Sequence, residues 1–303
     1  VLALAVVGGV LAVKGEPPGD VEMGPAGPPG RESPSLPALT VDLAGWTITA
    51  VEDTNVPTDL AGSEDLPWQD ALQVFRRPED LTGPSVVVHH VAASDPVGAG
   101  PGEVTVAVGD TEAYLRRTGE QSLTLRWVVP GAAYARVQAF GLSEDQVIDF
   151  AGGLRPKGDN VSFPPRANDE FGFVASSLPE GIEEVQMDPV NEARPGVRRL
   201  VLEAGERTAE VVINEGGEQA FEAELANLLA TAGEVDAMSV LQQPAVAVEH
   251  PDDGQWSLIW RHAGQAVVVV TLSGGDRSTV ADFAAGIREI PESEWREMLA
   301  DHG

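Results

Sequence analysis

The chain has 303 residues, 19 basic against 48 acidic side chains for a formal net charge of −29, and no cysteine. That charge repels nucleic acid and anionic lipid surfaces, and the missing thiols remove disulfides, thiolate nucleophiles, cysteine-bound metals and a lipoprotein anchor. A hydrophobic fraction of 43% over this length suffices for about two cored domains.

Val1 to Val13 (VLALAVVGGVLAV) is uncharged and almost wholly apolar. As a helix it spans about 20 Å, short of the ~30 Å hydrocarbon core. Residues 1–14 read as the outer half of a transmembrane anchor. A secretory leader would need a basic n-region and a small-x-small cleavage site, neither of which is visible; a buried core helix is the remaining alternative. Residues 15–39 form a Pro/Gly-rich linker. Gly24, Gly27 and Gly30 make a Gly-X-Y run too short for collagen, so an extended polyproline-like spacer is expected.

Residues 40–154 read as a first α+β module. Short β-branched or alternating segments separated by Gly, Pro and Asp predict strands over Trp46–Glu52, Ala71–Arg76, Ser85–Val91, Glu103–Val108, Ala113–Arg116, Ser122–Val129 and Ala133–Ala139. Leu123, Leu125 and Trp127 share one face of their strand, Thr124 and Arg126 the other, as a half-buried antiparallel strand requires. Pro130 and Gly131 supply a turn, and Tyr134 opens the return strand. A helix follows, capped by Ser143 with Gln146 completing a capping box, and Val147, Phe150, Ala151 and Leu154 make its apolar stripe. Residues 155–178 are a connection whose Phe163, Phe171 and Phe173 are expected to pack onto a domain.

Residues 179–303 repeat the order. Strands are expected near Ile182–Met187, Arg198–Leu202, Glu210–Asn214, Ala245–Glu249, Trp256–Arg261 and Ala266–Leu272, with an additional helix at Glu218–Ala232 where the first module has only the loop Ser94–Gly102. Asp276 takes the capping place of Ser143, and Val280, Phe283, Ala284 and Ile287 repeat the stripe. At a constant ungapped offset, Leu125, Trp127, Gly131, Gly141, Val147, Asp149, Phe150, Ala151 and Gly153 meet identical residues at Leu258, Trp260, Gly264, Gly274, Val280, Asp282, Phe283, Ala284 and Gly286. The chain is thus read as a duplication with an insertion. A last helix starts at Pro291 and presents Trp295, Met298 and Leu299 on one face, expected to dock on the second sheet.

No nucleophile elbow, phosphate-binding loop, zinc-protease helix or calcium loop is present. His89 and His90 are adjacent in a strand and point to opposite faces, so they do not share a metal; His250, His262 and His302 stand apart in sequence. Asp252-Asp253-Gly254 reads as a hairpin turn, and Gly274-Gly275 ahead of Asp276 as a capped helix start rather than an anion nest. Trp127 and Trp260 occupy equivalent sheet positions, which points to core packing; a sheet curved around one helix also allows a ligand cleft lined by Trp127 with Tyr134 and Trp260 with Val267. No catalytic, cofactor-binding or metal-binding residue is assigned, and no cofactor is expected.

The unit from Leu123 to Leu154, with its late Trp127, Pro130-Gly131 turn, return strand and SEDQVIDFAGGL helix, resembles a module of extracytoplasmic portions of single-pass actinobacterial membrane proteins. Some of these are sigma-factor regulators and others are domains of unknown function. The second half is similar at Trp260, at DFAAGI (Asp282–Ile287) and at Glu294-Trp295. The resemblance implies two tandem copies of an antiparallel sheet, each closed by one C-terminal helix, after an N-terminal transmembrane segment. It implies a membrane-tethered extracytoplasmic binding or sensory protein without a catalytic site. A cell-envelope hydrolase-type enzyme and a structural or adhesion module are the alternatives. The expected partner is a protein or small-molecule ligand, with no nucleic acid and with the membrane met only through the N-terminal segment.

Overall fold

Leu39, near the start of the described residues, pairs with Glu289, close to their end, and this closure organises the molecule. The computed structural model describes residues 36–53, 71–77, 80–91, 98–128, 134–157, 173–185, 196–251, 253–262 and 266–303. The apolar segment 1–14 and most of the linker lie outside them. Among the described residues no helix is long and apolar enough to cross a membrane.

The chain opens with β1 (Leu39–Val41), β2 (Thr47–Asp53), β3 (Ala71–Arg76) and β4 (Ser85–Val91). Next come β5 (Val104–Val108), β6 (Thr111–Arg117), β7 (Ser122–Val128), β8 (Tyr134–Phe140), α1 (Glu144–Gly153) and β9 (Leu154–Pro156). Then follow β10 (Phe173–Ala175), β11 (Glu183–Val185), β12 (Val197–Ala204), β13 (Arg207–Glu215) and α2 (Gly217–Leu229). The chain finishes with β14 (Val235–Val240), β15 (Gln243–His250), β16 (Gln255–His262), β17 (Ala266–Ser273), α3 (Arg277–Gly286), β18 (Ile287–Glu289) and α4 (Glu292–His302). The fold is α+β, mostly antiparallel sheet.

Two seven-stranded sheets have the orders β11-β3-β4-β8-β7-β6-β5 and β2-β12-β13-β17-β16-β15-β14. Strand for strand the two orders correspond. Trp127 stands opposite Ala113 and Ala135, and Trp260 opposite Ala245 and Val268, so the two tryptophans hold the same place in their sheets.

The edge strands have changed places. Thr47–Asp53, expected in the first sheet, runs beside β12 in the second, with Val51 opposite Leu200 and Asp53 opposite Arg198. In exchange β11, expected to open the second sheet, closes the first against β3, with Val185 opposite Val74. Each sheet therefore takes one edge strand from the far side of the 155–178 connection. Alternation in TITAVED marks a strand with one buried face, but it does not choose between two sheets of the same design. Short ladders flank the exchange, β1 with β18 and β10 with β9. Phe173, at the head of β10, is buried in the first core as expected, whereas Phe163 and Phe171 lie outside the described residues. β14, missed because VDAMSV mixes an acid into a short run, pairs with β15.

The elements stack in layers. One face of the first sheet (Phe75, Leu125, Trp127, Val137) receives Val147 and Phe150 of α1. The matching face of the second (Leu200, Val211, Leu258, Trp260) receives Val280 and Phe283 of α3 together with Trp295 of α4. Each such side chain, fully buried, contributes about 1.5–3 kcal/mol. The opposite faces of both sheets close on α2: Phe221, Leu225 and Leu229 meet Val246, Ile259 and Val269 of the second sheet, while Ala226 meets Val74 and Val87 of the first. The additional helix is the seam between the two halves.

Helix ends are built as the sequence predicts. Ser143 Oγ accepts from the Gln146 amide at 3.3 Å, and the Gln146 carboxamide accepts from Ser143 N at 2.9 Å. In α3 the reciprocal partners are Asp276 and Thr279. Such a cap contributes about 1 kcal/mol. Pro291 is the N-cap residue of α4 and lies just before the first turn.

Candidate functional site

Of the expected cleft residues, Trp127, Trp260 and Val267 fall in three different core clusters. Trp127 and Trp260 are buried in separate cores, each under its own helix. Val267 is buried on the α2 side of the second sheet, the face opposite Trp260. The ring of Tyr134 lies outside the described side chains. Phe150 shares the first core with Trp127, and Phe283 and Trp295 share the second with Trp260.

The described histidines serve separate contacts. His89 faces the α2 side beside its cross-strand neighbour Arg136, and burial, aided by the charge of Arg136, pushes its pKa down to about 4. His250 stands between two hydroxyls, Thr231 Oγ1 at 3.1 Å and the buried Ser257 Oγ at 3.0 Å. Burial lowers its pKa as well. Both ring nitrogens are engaged and Ser257 is closed to solvent, so this contact fastens the end of α2 and is not a nucleophile with its base. His262 meets Glu289 at 2.9 Å, and His302 lies in the last turn of α4. The side chain of His90 lies outside the described set, as does Asp252. Gly254 turns at φ 60° beside Asp253. Among the described residues no three His, Asp or Glu side chains gather as a metal group.

Gly274, at φ 74°, turns the chain into α3. The helix start behind it is filled by Asp276, whose carboxylate accepts from the Thr279 amide at 2.9 Å and the Ser278 hydroxyl at 2.7 Å. The Thr279 amide, then the Ser278 and Thr279 hydroxyls, hold that carboxyl at about 2. An outside anion finds these donors already used.

Polar chemistry concentrates instead at the α2 seam. Arg76, wholly buried on β3, is ion-paired with Glu222 of α2 and donates to the Asp80 carbonyl at 2.8 Å. At the other end of the helix, Ser122 Oγ donates to the carbonyls of Leu229 at 3.0 Å and Ala232 at 2.9 Å, and Thr118 Oγ1 donates to Ala230 O at 3.2 Å. First-sheet hydroxyls thereby satisfy carbonyls that a helix C-terminus leaves open. Nothing in the local sequence of α2 announces these partners. An arginine on the same strand face as Leu72 and Val74, in ALQVFR, was the available signal.

An open depression of about 530 Å³ lies at the start of α1, lined by Arg117, Gln121, Leu142, Ser143, Glu144 and neighbours. Arg117 donates to Glu144 across it at 2.8 Å. It is polar and shallow, with its one prominent cation already paired.

No known protein family profile matches the chain, and no curated protein matches it. A crystal structure of MucB in complex with MucA(peri) is similar at 13% identity, over 74% of this chain and 94% of that one, with a TM-score of 0.18. At that score the two chains do not superpose as one arrangement.

Proposed function

We propose that this chain is the extracytoplasmic part of a single-pass membrane protein and that it works by binding, as a sensory or regulatory module, and not by catalysis. In this reading Val1–Val13 is the anchor, the Pro/Gly-rich residues after it hold the folded part off the membrane, and the two sheets are duplicated copies of one unit. The observation that carries the binding role is the filling of both inner sheet faces by α1, α3 and α4, with a fourth helix, α2, filling the space between the sheets. Strand edges and helix surfaces are what such a molecule offers to a partner, and a protein partner suits them better than a small molecule. The resemblance of both helix-closed units to actinobacterial extracytoplasmic modules points the same way. The strongly acidic composition, with a net charge of −29, disfavours nucleic acid as that partner.

The experiment is protease shaving of intact cells that express the complete gene product. The acidic region should be cleaved by added protease while a cytoplasmic marker survives. Protection of the region until the cells are lysed would end the extracytoplasmic reading.

A further inference from the structure

The two seven-stranded sheets have four edges, and among the described residues three of them carry visible protection. β11 is only three residues long and holds Glu183 and Glu184. The pairing of β2 with β12 is interrupted by a bulge near Val201. β14 points Asp236 toward the helix side of its sheet, where Arg277 of α3 holds the carboxylate at 2.6 and 2.7 Å. Short length, bulges and inward-pointing charges are the devices by which proteins prevent strand addition.

The fourth edge, β5, has none of them. Its sequence is VTVAV, without charge or proline, and its register with β6 runs unbroken from Val104 to Val108. Among the described residues β6 is its sole strand partner. The internal repeat makes the contrast direct. Val104 stands opposite Leu115 as Asp236 stands opposite Ala247, so Val104 occupies the place of the inward charge. Ser143 and Asp276 are equivalent caps, which sets Glu144 in the place of Arg277. In the first half the gating ion pair has become a valine and a glutamate. Val104 is 58% exposed, and Glu144 turns away to Arg117. The neighbouring Glu103 is held on the opposite face by Arg126 at 2.6 Å and by the Gly100 amide at 2.6 Å.

We infer that the β5 edge, Val104 to Val108, is a docking site for an extended basic strand from another protein, added by main-chain pairing to the first sheet. The charge on the α1 side of this edge selects this occupant, Arg116 and Arg126 lying on the other face of the sheet. α1, which flanks β5, exposes Glu144, Asp145 and Asp149 and contains no basic residue, and Asp110 sits in the adjoining turn. Two copies of this chain joined edge to edge would bring both acidic helices together, each chain carrying −29. A segment that alternates apolar residues, to cover Val104 and Val106, with lysine or arginine satisfies both the apolar face and the acids. This deepens the binding role proposed above, on which its biological meaning rests, whereas its measurement needs only the purified chain.

The test offers the full chain an acetylated octapeptide of alternating lysine and valine, and reads calorimetry together with amide hydrogen exchange. Binding at one site, with slowed exchange confined to the segment containing Val104 to Val108, is expected. Val104→Asp should weaken it at least tenfold while circular dichroism and melting stay unchanged. Asp236→Val combined with Arg277→Glu should add a second site on β14. Equal binding by Val104→Asp, equal binding of a peptide with proline at its centre, or protection elsewhere would overturn the assignment. So would a dimer that Val104→Asp dissociates without any peptide uptake, since the occupant would then be a second copy.

Discussion

The guanidinium carbon of Arg198 lies over the indole of Trp295, 5.1 Å from the ring centroid. From β12 the same guanidinium reaches Asp53 at 3.0 Å, both oxygens of Glu292 at 2.9 and 2.8 Å, and the Leu36 carbonyl at 2.8 Å. One side chain thus fastens the exchanged strand β2, the segment entering β1 and the C-terminal helix. Its planar fork makes these contacts together, which a lysine ammonium cannot do.

Arg198→Ala should therefore destabilise the chain by about 3–5 kcal/mol, because it leaves Asp53 and Glu292 facing a partly desolvated gap. Arg198→Lys should recover less than half. Urea unfolding followed by tryptophan fluorescence measures both, and a loss below 1 kcal/mol for the alanine variant would remove the fastening role.

The exchange of edge strands has a covalent readout, since the chain has no cysteine of its own. Ala50 and Val201 are direct cross-strand neighbours. With both replaced by cysteine, mild oxidation should join them within one chain, identified by peptide mass spectrometry. Pairing β2 with the first sheet, as serial reading of the chain suggests, would leave the two thiols unlinked.

Much of the architecture is legible in the residues. The ungapped repeat finds the equivalence of Trp127 and Trp260, and the capping boxes at Ser143 and the acid at Asp276 fix helix starts to within a residue. The exchange is not legible, because β2 and β11 carry alternation that suits either sheet and their partners lie more than a hundred residues away. Nor does local pattern show that α2 has two buried sides. Its Glu222 looks like an ordinary surface acid until Arg76 of the other half is placed against it. The gating difference between Asp236 and Val104 becomes visible only when strand registers align the two halves, since the ungapped offset does not extend to those strands.

The seam itself is testable through that buried ion pair. Glu222→Leu should cost about 3–5 kcal/mol by stranding the charge of Arg76, whereas Glu222→Leu with Arg76→Met should recover most of the loss. Thermal and urea unfolding of the single and double variants would establish the coupling; additive losses would show that the two side chains act independently.

The two core tryptophans should resist acrylamide quenching, being 2% and 0% exposed for Trp127 and Trp260. Replacing either with alanine should cost about 3–5 kcal/mol. Single-tryptophan variants separate their signals. Ready quenching of either ring would open its core to ligand after all.

Stability should fall as the medium is acidified through the histidine range. His89 is held near 4 by burial and by Arg136, below its ordinary 6.5, so the unfolded chain binds the proton first. The stabilisation is full above about pH 6.5 and is lost as pH falls towards 4, amounting to about 3 kcal/mol for this group. His250, lowered by burial, adds in the same direction. Glu224 on α2, raised by burial, has the opposite slope in the carboxylate range, so the histidine contribution is isolated by comparison with His89→Gln. Urea midpoints taken every half pH unit should fall more steeply between pH 6.5 and 4 in the native chain than in that variant. Parallel curves would mean that His89 is protonated equally well in both states.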